Sequence, residues 1–158
     1  MSTPWMQGLA ALALLSTGVV YGTDFFFALV ARPALRRADE ASLTRVLGHV
    51  HAVADVRMPW VGATALLSTA SLALAAGGWG TLPGRLALLA LAGLLTQLIA
   101  YVRVAQPVNR AQMAAAQQGI IPPDARALQT RWDSVIGLRA GALTVAMGAL
   151  LAAVLELP

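Results

Sequence analysis

Residues 5–31 read WMQGLAALALLSTGVVYGTDFFFALVA, an almost unbroken apolar run that is long enough to cross a bilayer. Three further stretches of this kind follow, at residues 58–78, 84–105 and 133–157. Because a bilayer offers no water to backbone N–H and C=O groups, a segment that spans it must be a helix. The chain therefore predicts an all-α integral membrane four-helix bundle, with residues 1–158 forming a single transmembrane domain.

The composition supports a membrane protein and disfavours several other classes. Of the 158 residues, 58% are hydrophobic and only 11% are charged, whereas a soluble domain carries about 25% charged residues. The net charge of +4 comes from eleven arginines and no lysine. Most of these arginines lie near the predicted membrane boundaries, so the expected partner is the lipid bilayer and no nucleic acid is expected. Cysteine is absent, which leaves no disulfide, thiolate nucleophile or cysteine-bound metal.

The distribution of arginine predicts how the helices are oriented. Nine arginines lie in the connection between the first two spans or around the connection between the last two, whereas the remaining turn has only Arg85. Arginine-rich loops stay in the cytoplasm. We therefore expect the cell inner (plasma) membrane, with both termini outside. The same loops predict a cytoplasmic extension of the second helix and a short amphipathic lead-in to the fourth.

Two charged residues, Asp24 and Arg139, lie at least one helical turn inside the ends of the predicted spans. Asp24 is about two turns from the cytoplasmic end of the first span, and Arg139 lies one to two turns into the fourth from the same face. An unpaired acid at this depth is costly, so Asp24 should face the bundle interior and pair with Arg139. The pair either belongs to a functional site or merely holds two helices together, and both interpretations stay open.

Two histidines and an aspartate come just before the second span. His51 and Asp55 are four residues apart, so they share a helix face and can hydrogen-bond, while His49 points elsewhere. A carboxylate that orients an imidazole is what a general base requires. The plainer interpretation is a solvated histidine beside a boundary aspartate. A metal site formed by His51, Asp55 and Asp24 is a third possibility, although no HExxH motif is present.

All four spans bring polar side chains to this same end of the bundle. Tyr101, Asn109 and Arg110 lie at or beyond the end of the third span, and Trp132 leads into the fourth. Tyr101 and Trp132 are also typical of the aromatic belt at a membrane interface. Because many polar groups at one level are costly unless they surround a cavity or one another, we expect a pocket near the cytoplasmic face.

The ordered segments that carry these residues resemble the markers of a known family. They are Gly22-Thr-Asp-Phe-Phe-Phe-Ala-Leu-Val-Ala-Arg-Pro-Ala-Leu35, Gly48-His-Val-His-Ala-Val-Ala-Asp55, Pro107-Val-Asn-Arg110, and Arg131-Trp132 followed by Arg139. Together they resemble the anthrone-oxygenase-like family of small four-helix integral membrane proteins, many members of which have no assigned function. Members often carry His or Asn where this chain has Ile136 and Gly137.

The resemblance implies a membrane-embedded oxygenase that oxidises a flat, lipophilic aromatic molecule, an anthrone of polyketide type. Removal of a benzylic proton from such a substrate gives a delocalised anion that reacts with oxygen without a cofactor, so neither a cofactor nor a metal is expected. His51, oriented by Asp55, is the candidate base, and Arg139, or Arg110 beside Asn109, is the candidate stabiliser of the oxyanion. The expected substrate-binding residues are Asp24, Tyr101, Asn109, Arg110 and Trp132.

Two other functions are compatible with the sequence. A non-catalytic membrane scaffold or partner subunit is favoured by the short loops and small-residue helix faces, where Gly8, Gly18 and Gly22 predict close helix approach. Such a protein would form a homo-oligomer or bind a membrane partner, and its Asp24–Arg139 pair would be structural. A transporter component is less well supported, because neither an inverted repeat nor broken helices are evident.

Overall fold

The chain folds into helices throughout the part that the computed structural model describes, residues 4–157, and no strand occurs there. The α-helices are α1 (Pro4–Phe26), α2 (Arg32–Leu35), α3 (Glu40–Ala75), α4 (Leu82–Ala100), α5 (Gln106–Gln118) and α6 (Ala125–Leu155). Two π-helical segments, Phe27–Ala31 and Tyr101–Ala105, continue α1 into α2 and α4 into α5. A single 3-10 turn, Gly78–Gly80, lies between α3 and α4 in the described range.

Within these described residues, four continuous helical rods are long and apolar enough to cross a membrane. They are Pro4–Leu35, Glu40–Ala75, Leu82–Gln118 and Ala125–Leu155, and the shortest has 31 residues. A bilayer requires only about 20 helical residues, so each rod is longer than the membrane is thick. Large apolar side chains cover the outside of the rods, as a surface in contact with lipid requires. The predicted all-α fold with four helices long and apolar enough to cross a membrane is confirmed for the described residues.

The four rods pack against one another in chain order. Helix α1 contacts α3 and α6, and α4 contacts the same two helices from the opposite side, while α5 lies along the first part of α3. The core between them consists mainly of alanine and leucine, including the fully buried Ala13, Ala65, Leu72, Ala87 and Leu143. Small side chains let helices approach closely in lipid, where apolar surface alone gives no driving force for association.

Close helix approach occurs at a glycine that the sequence did not single out. A Cβ on Gly93 of α4 would lie 2.6 Å from the carbonyl oxygen of Ala142 in α6. At Gly8 or Gly22 a Cβ would meet nothing within 4 Å, and at Gly18 it would meet only the flexible end of a methionine, 3.7 Å away. Gly8 and Gly22 therefore do not mediate close helix approach within the described chain, because both lie on the exposed face of α1.

Each π-helical segment ends two residues before a proline. Pro33 follows Phe27–Ala31, and Pro107 follows Tyr101–Ala105. A proline has no N–H, and in an α-helix its ring clashes with the carbonyl group four residues earlier, which here belongs to the π-helical segment. The helix widens at both places instead of breaking, so the rods continue past the predicted ends of the first and third spans. Such widened turns are frequent at functional sites.

The parts of α3 and α6 outside the predicted spans are well anchored. Asp39 is the N-cap of α3, and its carboxylate accepts hydrogen bonds from the hydroxyl of Ser42 at 2.6 Å and from its backbone N–H at 2.9 Å. These bonds hold the pKa of the Asp39 carboxyl below its usual value. In the first turn of α6, the Arg126 guanidinium donates to the carbonyl groups of Leu35 and Ala38. The start of α6 is thereby tied to the end of α2.

Candidate functional site

A cavity of about 820 Å³ lies at the end of the bundle where the polar residues were expected to converge. Its volume falls within the range of small-molecule sites, about 300–1,000 Å³. Helices α1, α3 and α4 supply most of the wall, which is largely apolar. Its polar and aromatic lining residues are Thr23, Asp24, Phe27, His49, His51, Asp55, Arg57, Gln97, Tyr101, Asn109, Trp132 and Arg139.

This cavity, called the main cavity below, is lined by seven of the eight site residues proposed from the sequence. The exception is Arg110, which lies on the exposed face of α5 outside the cavity. Its neighbour Asn109 is buried and faces inward. Adjacent residues of an α-helix point about 100° apart, so only one of the two can face the cavity.

The carboxylate of Asp55 is held by α4 and α5 rather than by the nearby imidazole. Its Oδ1 accepts hydrogen bonds from the Tyr101 hydroxyl at 3.0 Å and from Nδ2 of Asn109 at 2.9 Å. The Oδ1 of Asn109 in turn accepts from the indole Nε1–H of Trp132 at 3.0 Å. Among the described residues, no hydrogen bond joins Asp55 to His51. The pairing expected from their spacing is not formed, and Oδ1 of Asp55 is engaged by Tyr101 and Asn109 instead.

Asp24 and Arg139 form the expected ion pair in the interior of the bundle. Nη2 of Arg139 donates to Oδ1 of Asp24 at 2.7 Å, and the two residues are 7% and 3% exposed. The guanidinium also lies over the rings of Tyr101 and Trp132, 5.5 Å and 5.7 Å from their centroids. Such cation–π contacts help to stabilise a cation that has lost its water. The pair joins α1 to α6 and places a positive charge beside the aromatic wall of the cavity.

His51 is buried beside the aromatic wall and is only 4% exposed. Its ring stacks on the indole of Trp132 with centroids 6.1 Å apart, and Phe27 lies against the same indole at 5.2 Å. The Nδ1 atom of His51 is buried without a hydrogen-bond partner. His49, by contrast, is an exposed residue. His51 therefore offers a ring nitrogen, within an apolar setting, that is not engaged by another side chain.

A buried chain of amides joins α5 to the start of α6. Gln112 of α5 is 2% exposed. Its Nε2 donates to Oε1 of Gln129 at 3.2 Å, and Nε2 of Gln129 donates to Asp133 at 2.8 Å. Gln112 was not among the residues predicted from the sequence, although it follows Asn109 by three residues and so shares its helix face.

Three polar atoms on residues that line the main cavity have no hydrogen-bond partner among residues 4–157. They are Oδ2 of Asp24, Nδ1 of His51 and Nε of Arg139, and all three are buried. Leaving such a group unsatisfied costs about 1–3 kcal/mol. Buried polar groups are otherwise almost always paired, so three unpaired ones around one cavity indicate where a bound molecule with polar groups would gain free energy.

The metal site considered from the sequence is not assembled. Asp24 is engaged by Arg139, and Asp55 is engaged by Tyr101 and Asn109. Within residues 4–157, no three His, Cys, Asp or Glu side chains are grouped so that they could hold a metal ion. The polar groups of the main cavity are instead arranged as an ion pair, a hydrogen-bonded carboxylate and a separate imidazole.

Comparison with known proteins finds no matching family model, curated protein or solved structure. The resemblance of residues 22–35, 48–55 and 107–110 to the anthrone-oxygenase-like family therefore stays a prediction. The function must be argued from the main cavity and from the residues that line it.

Proposed function

We propose that the protein is a membrane-embedded, cofactor-independent oxygenase that acts on a flat aromatic substrate of the anthrone type. The observation that carries the proposal is the main cavity, whose largely apolar wall includes a buried imidazole and a buried ion pair with unpartnered polar atoms. A hydroxylated three-ring molecule is apolar over both faces and carries oxygen atoms at its edge. The apolar lining of the cavity would contact the faces of such a molecule, and the unpartnered polar atoms would contact its oxygen atoms.

Substrate access from the lipid is the route that the cavity wall favours. Pro59, Ala63 and Leu98 belong to the lining, lie inside the predicted spans and are exposed, so the cavity has an apolar, accessible rim there. A lipophilic ring system concentrates in the bilayer because burial of its apolar surface is favourable. It can then enter sideways between helices without crossing water.

His51 acts as the base in the proposed reaction. It removes a proton from the substrate methylene carbon, which leaves a carbanion delocalised over the aromatic rings. The anion gives up electrons to dioxygen and forms a C–O bond, and the proton held by His51 passes to the resulting peroxide anion to give a hydroperoxide. Loss of water from the hydroperoxide then leaves a carbonyl group. One dioxygen is consumed and one water released for each quinone formed, so no further reductant is required.

Arg139 stabilises the negative charge that develops on the substrate oxygen. Its guanidinium is fixed by Asp24, and its Nε has no partner, so a donor remains for the oxyanion. Asp55 has a positioning role in this proposal, since it holds the Tyr101 hydroxyl and the Asn109 amide in place. Tyr101, Asn109 and the aromatic wall would then bind the substrate, whereas Arg110 takes no part.

Oxygen consumption tests the proposed reaction directly. The purified full-length protein in lipid nanodiscs is mixed with 1,8-dihydroxyanthrone, and oxygen uptake and quinone absorbance are followed together. We expect uptake well above the autoxidation rate of the compound alone, with equal amounts of oxygen consumed and quinone formed. Heat-denatured protein is the control. Uptake equal to the protein-free rate would contradict the oxygenase.

A membrane scaffold or partner subunit is the second candidate function. The Asp24–Arg139 ion pair favours it, because a buried pair between α1 and α6 also holds two helices together. In that case the protein would form a homo-oligomer or bind a membrane partner, and anthrone oxidation would be absent. Substitution of either residue would then lower the amount of folded protein without any activity to lose.

The proposed orientation places both termini outside the cell inner (plasma) membrane. The cytoplasmic part would then comprise the first part of α3, helix α5 and the first turns of α6. Their arginines agree with this side, because arginine-rich segments stay in the cytoplasm. We expect a periplasmic reporter to be active when fused after the last residue. A cytoplasmic reporter should be active when inserted at Gly119, which lies in an exposed turn. The opposite pattern at either position would contradict this topology.

A further inference from the structure

A second cavity, of about 290 Å³, lies between the end of α2 and the first turns of α6. Three of the residues that line it are arginines, Arg32, Arg36 and Arg126, and Asp133 also lines it. Three guanidinium groups opposite one carboxylate leave this arginine cavity with an excess of positive charge. Residues of the main cavity are not shared with it.

Arg32, in α2, and Arg36, the residue that follows α2, both approach the same carboxylate oxygen of Asp133. Nε of Arg32 lies 3.4 Å from Oδ2 of Asp133, and Nε of Arg36 lies 4.0 Å from that same atom. Nε of Arg32 is also buried without a hydrogen bond. The other oxygen of Asp133 is already engaged by Gln129. Because each guanidinium carries five N–H donors, Asp133 satisfies only a small part of what the two arginines can donate.

The third arginine is held in place by the backbone. Arg126 donates to the carbonyl groups of Leu35 and Ala38, so its position at the cavity is fixed before any ligand binds. Arg32 and Arg36 are four residues apart at α2 and therefore lie on one side of the helix. A site whose charged groups are already positioned loses less entropy when it binds an anion.

We propose that the arginine cavity binds a phosphate group, and that an anionic phospholipid headgroup supplies it. Guanidinium groups bind phosphate through paired, charge-assisted hydrogen bonds, which suits a cluster of arginines with spare donors. The turn of helix that leads to Arg32 exposes Phe26, Leu29 and Val30, which are 54%, 61% and 53% accessible. Acyl chains can cover this apolar surface while the headgroup reaches the arginines. Free phosphate shares the headgroup chemistry but lacks the chains.

Native mass spectrometry of the full-length protein with added phosphatidylglycerol or phosphatidylcholine tests this site. We expect phosphatidylglycerol to bind more tightly, and the double variant Arg32→Gln, Arg36→Gln to bind it at least roughly tenfold more weakly, because charge-assisted hydrogen bonds are lost. Arg37→Gln is the matched control, since Arg37 is exposed and does not line the cavity. Asp133→Asn should bind phosphatidylglycerol more tightly, because it removes the carboxylate that competes with the lipid.

Inorganic phosphate distinguishes the two sources of the anion. If it raises the thermal midpoint of the wild type but not of the double arginine variant, while the two lipids bind equally, the phosphate site stands and free phosphate is its ligand. Equal binding of both lipids without an effect of phosphate would overturn the proposal. So would a loss in Arg37→Gln as large as that in the double variant, or weaker binding in a folded Asp133→Asn protein. Thermal midpoints of all variants report whether they are folded.

Discussion

His51→Ala should abolish the oxidation of an anthrone-type substrate while the helical bundle remains folded. The imidazole is the candidate base in the main cavity, and loss of a general base lowers turnover by roughly 10²–10⁴-fold. His51→Asn should have nearly the same effect, because its amide does not accept a proton at neutral pH. Oxygen uptake with 1,8-dihydroxyanthrone measures the activity, and a thermal melt of the same sample reports on folding.

A matched control for this prediction is available on the same helix. Val46 is 55% exposed and does not line the main cavity, so Val46→Ala should retain wild-type oxygen uptake. Full activity in His51→Ala would remove the histidine from the mechanism. If both His51→Ala and His51→Asn failed to fold, His51 would be required for stability. The loss of oxygen uptake would then no longer support its role as the base.

Removal of either charge from the Asp24–Arg139 pair should destabilise the bundle severely. Asp24→Leu strands a buried guanidinium and Arg139→Leu strands a buried carboxylate, and breaking a buried pair in this way costs about 3–5 kcal/mol. The double variant should be much milder than the sum of the two, because it leaves no unpaired charge behind. Equilibrium unfolding in mixed micelles gives the free energy of unfolding for each of the four proteins.

Arg85→Leu serves as the control for loss of an arginine. Arg85 is exposed at the start of α4, where its Nε lies 3.3 Å from the carbonyl of Thr81, and its substitution should change the free energy of unfolding little. Additive losses in the Asp24 and Arg139 cycle would show that the two residues are not coupled. Such a result would contradict the stabilising role that the 2.7 Å contact assigns to the pair.

The features that the sequence predicted well are those that the bilayer itself enforces. Apolar length predicts which segments are helices, because backbone groups in lipid have no other partners. Because an unpaired acid inside the bilayer is costly in free energy, Asp24 was predicted to pair with Arg139, and the two are hydrogen-bonded. The same argument predicted that polar side chains from all four rods would meet around a pocket, and seven of the eight line the main cavity.

Competition between partners is what the sequence could not show. The spacing of His51 and Asp55 places them on one face of α3. It does not show that Tyr101 and Asn109 donate hydrogen bonds to the Asp55 carboxylate. Spacing also does not show whether Asn109 or Arg110 faces the main cavity, because the rotation of α5 about its own axis cannot be derived from the sequence. From the sequence, the arginines that line the arginine cavity indicate topology and contact with the lipid bilayer but not a shared cavity, because their convergence depends on how α2 meets α6.

The two π-helical segments set the angular register of everything beyond them. A π-helical turn contains about one residue more than an α-helical turn. Each residue after it is therefore rotated about the helix axis by about 100° less than it would be in a continuous α-helix. If residues 101–105 followed an α-helical path, α5 would be turned by that angle, and the direction that Asn109 now takes would fall to Val108. Asp55 would then face a methyl group in place of an amide. Pro107 does not line the main cavity, yet the widened turn before it thus determines which side chain of α5 reaches that cavity.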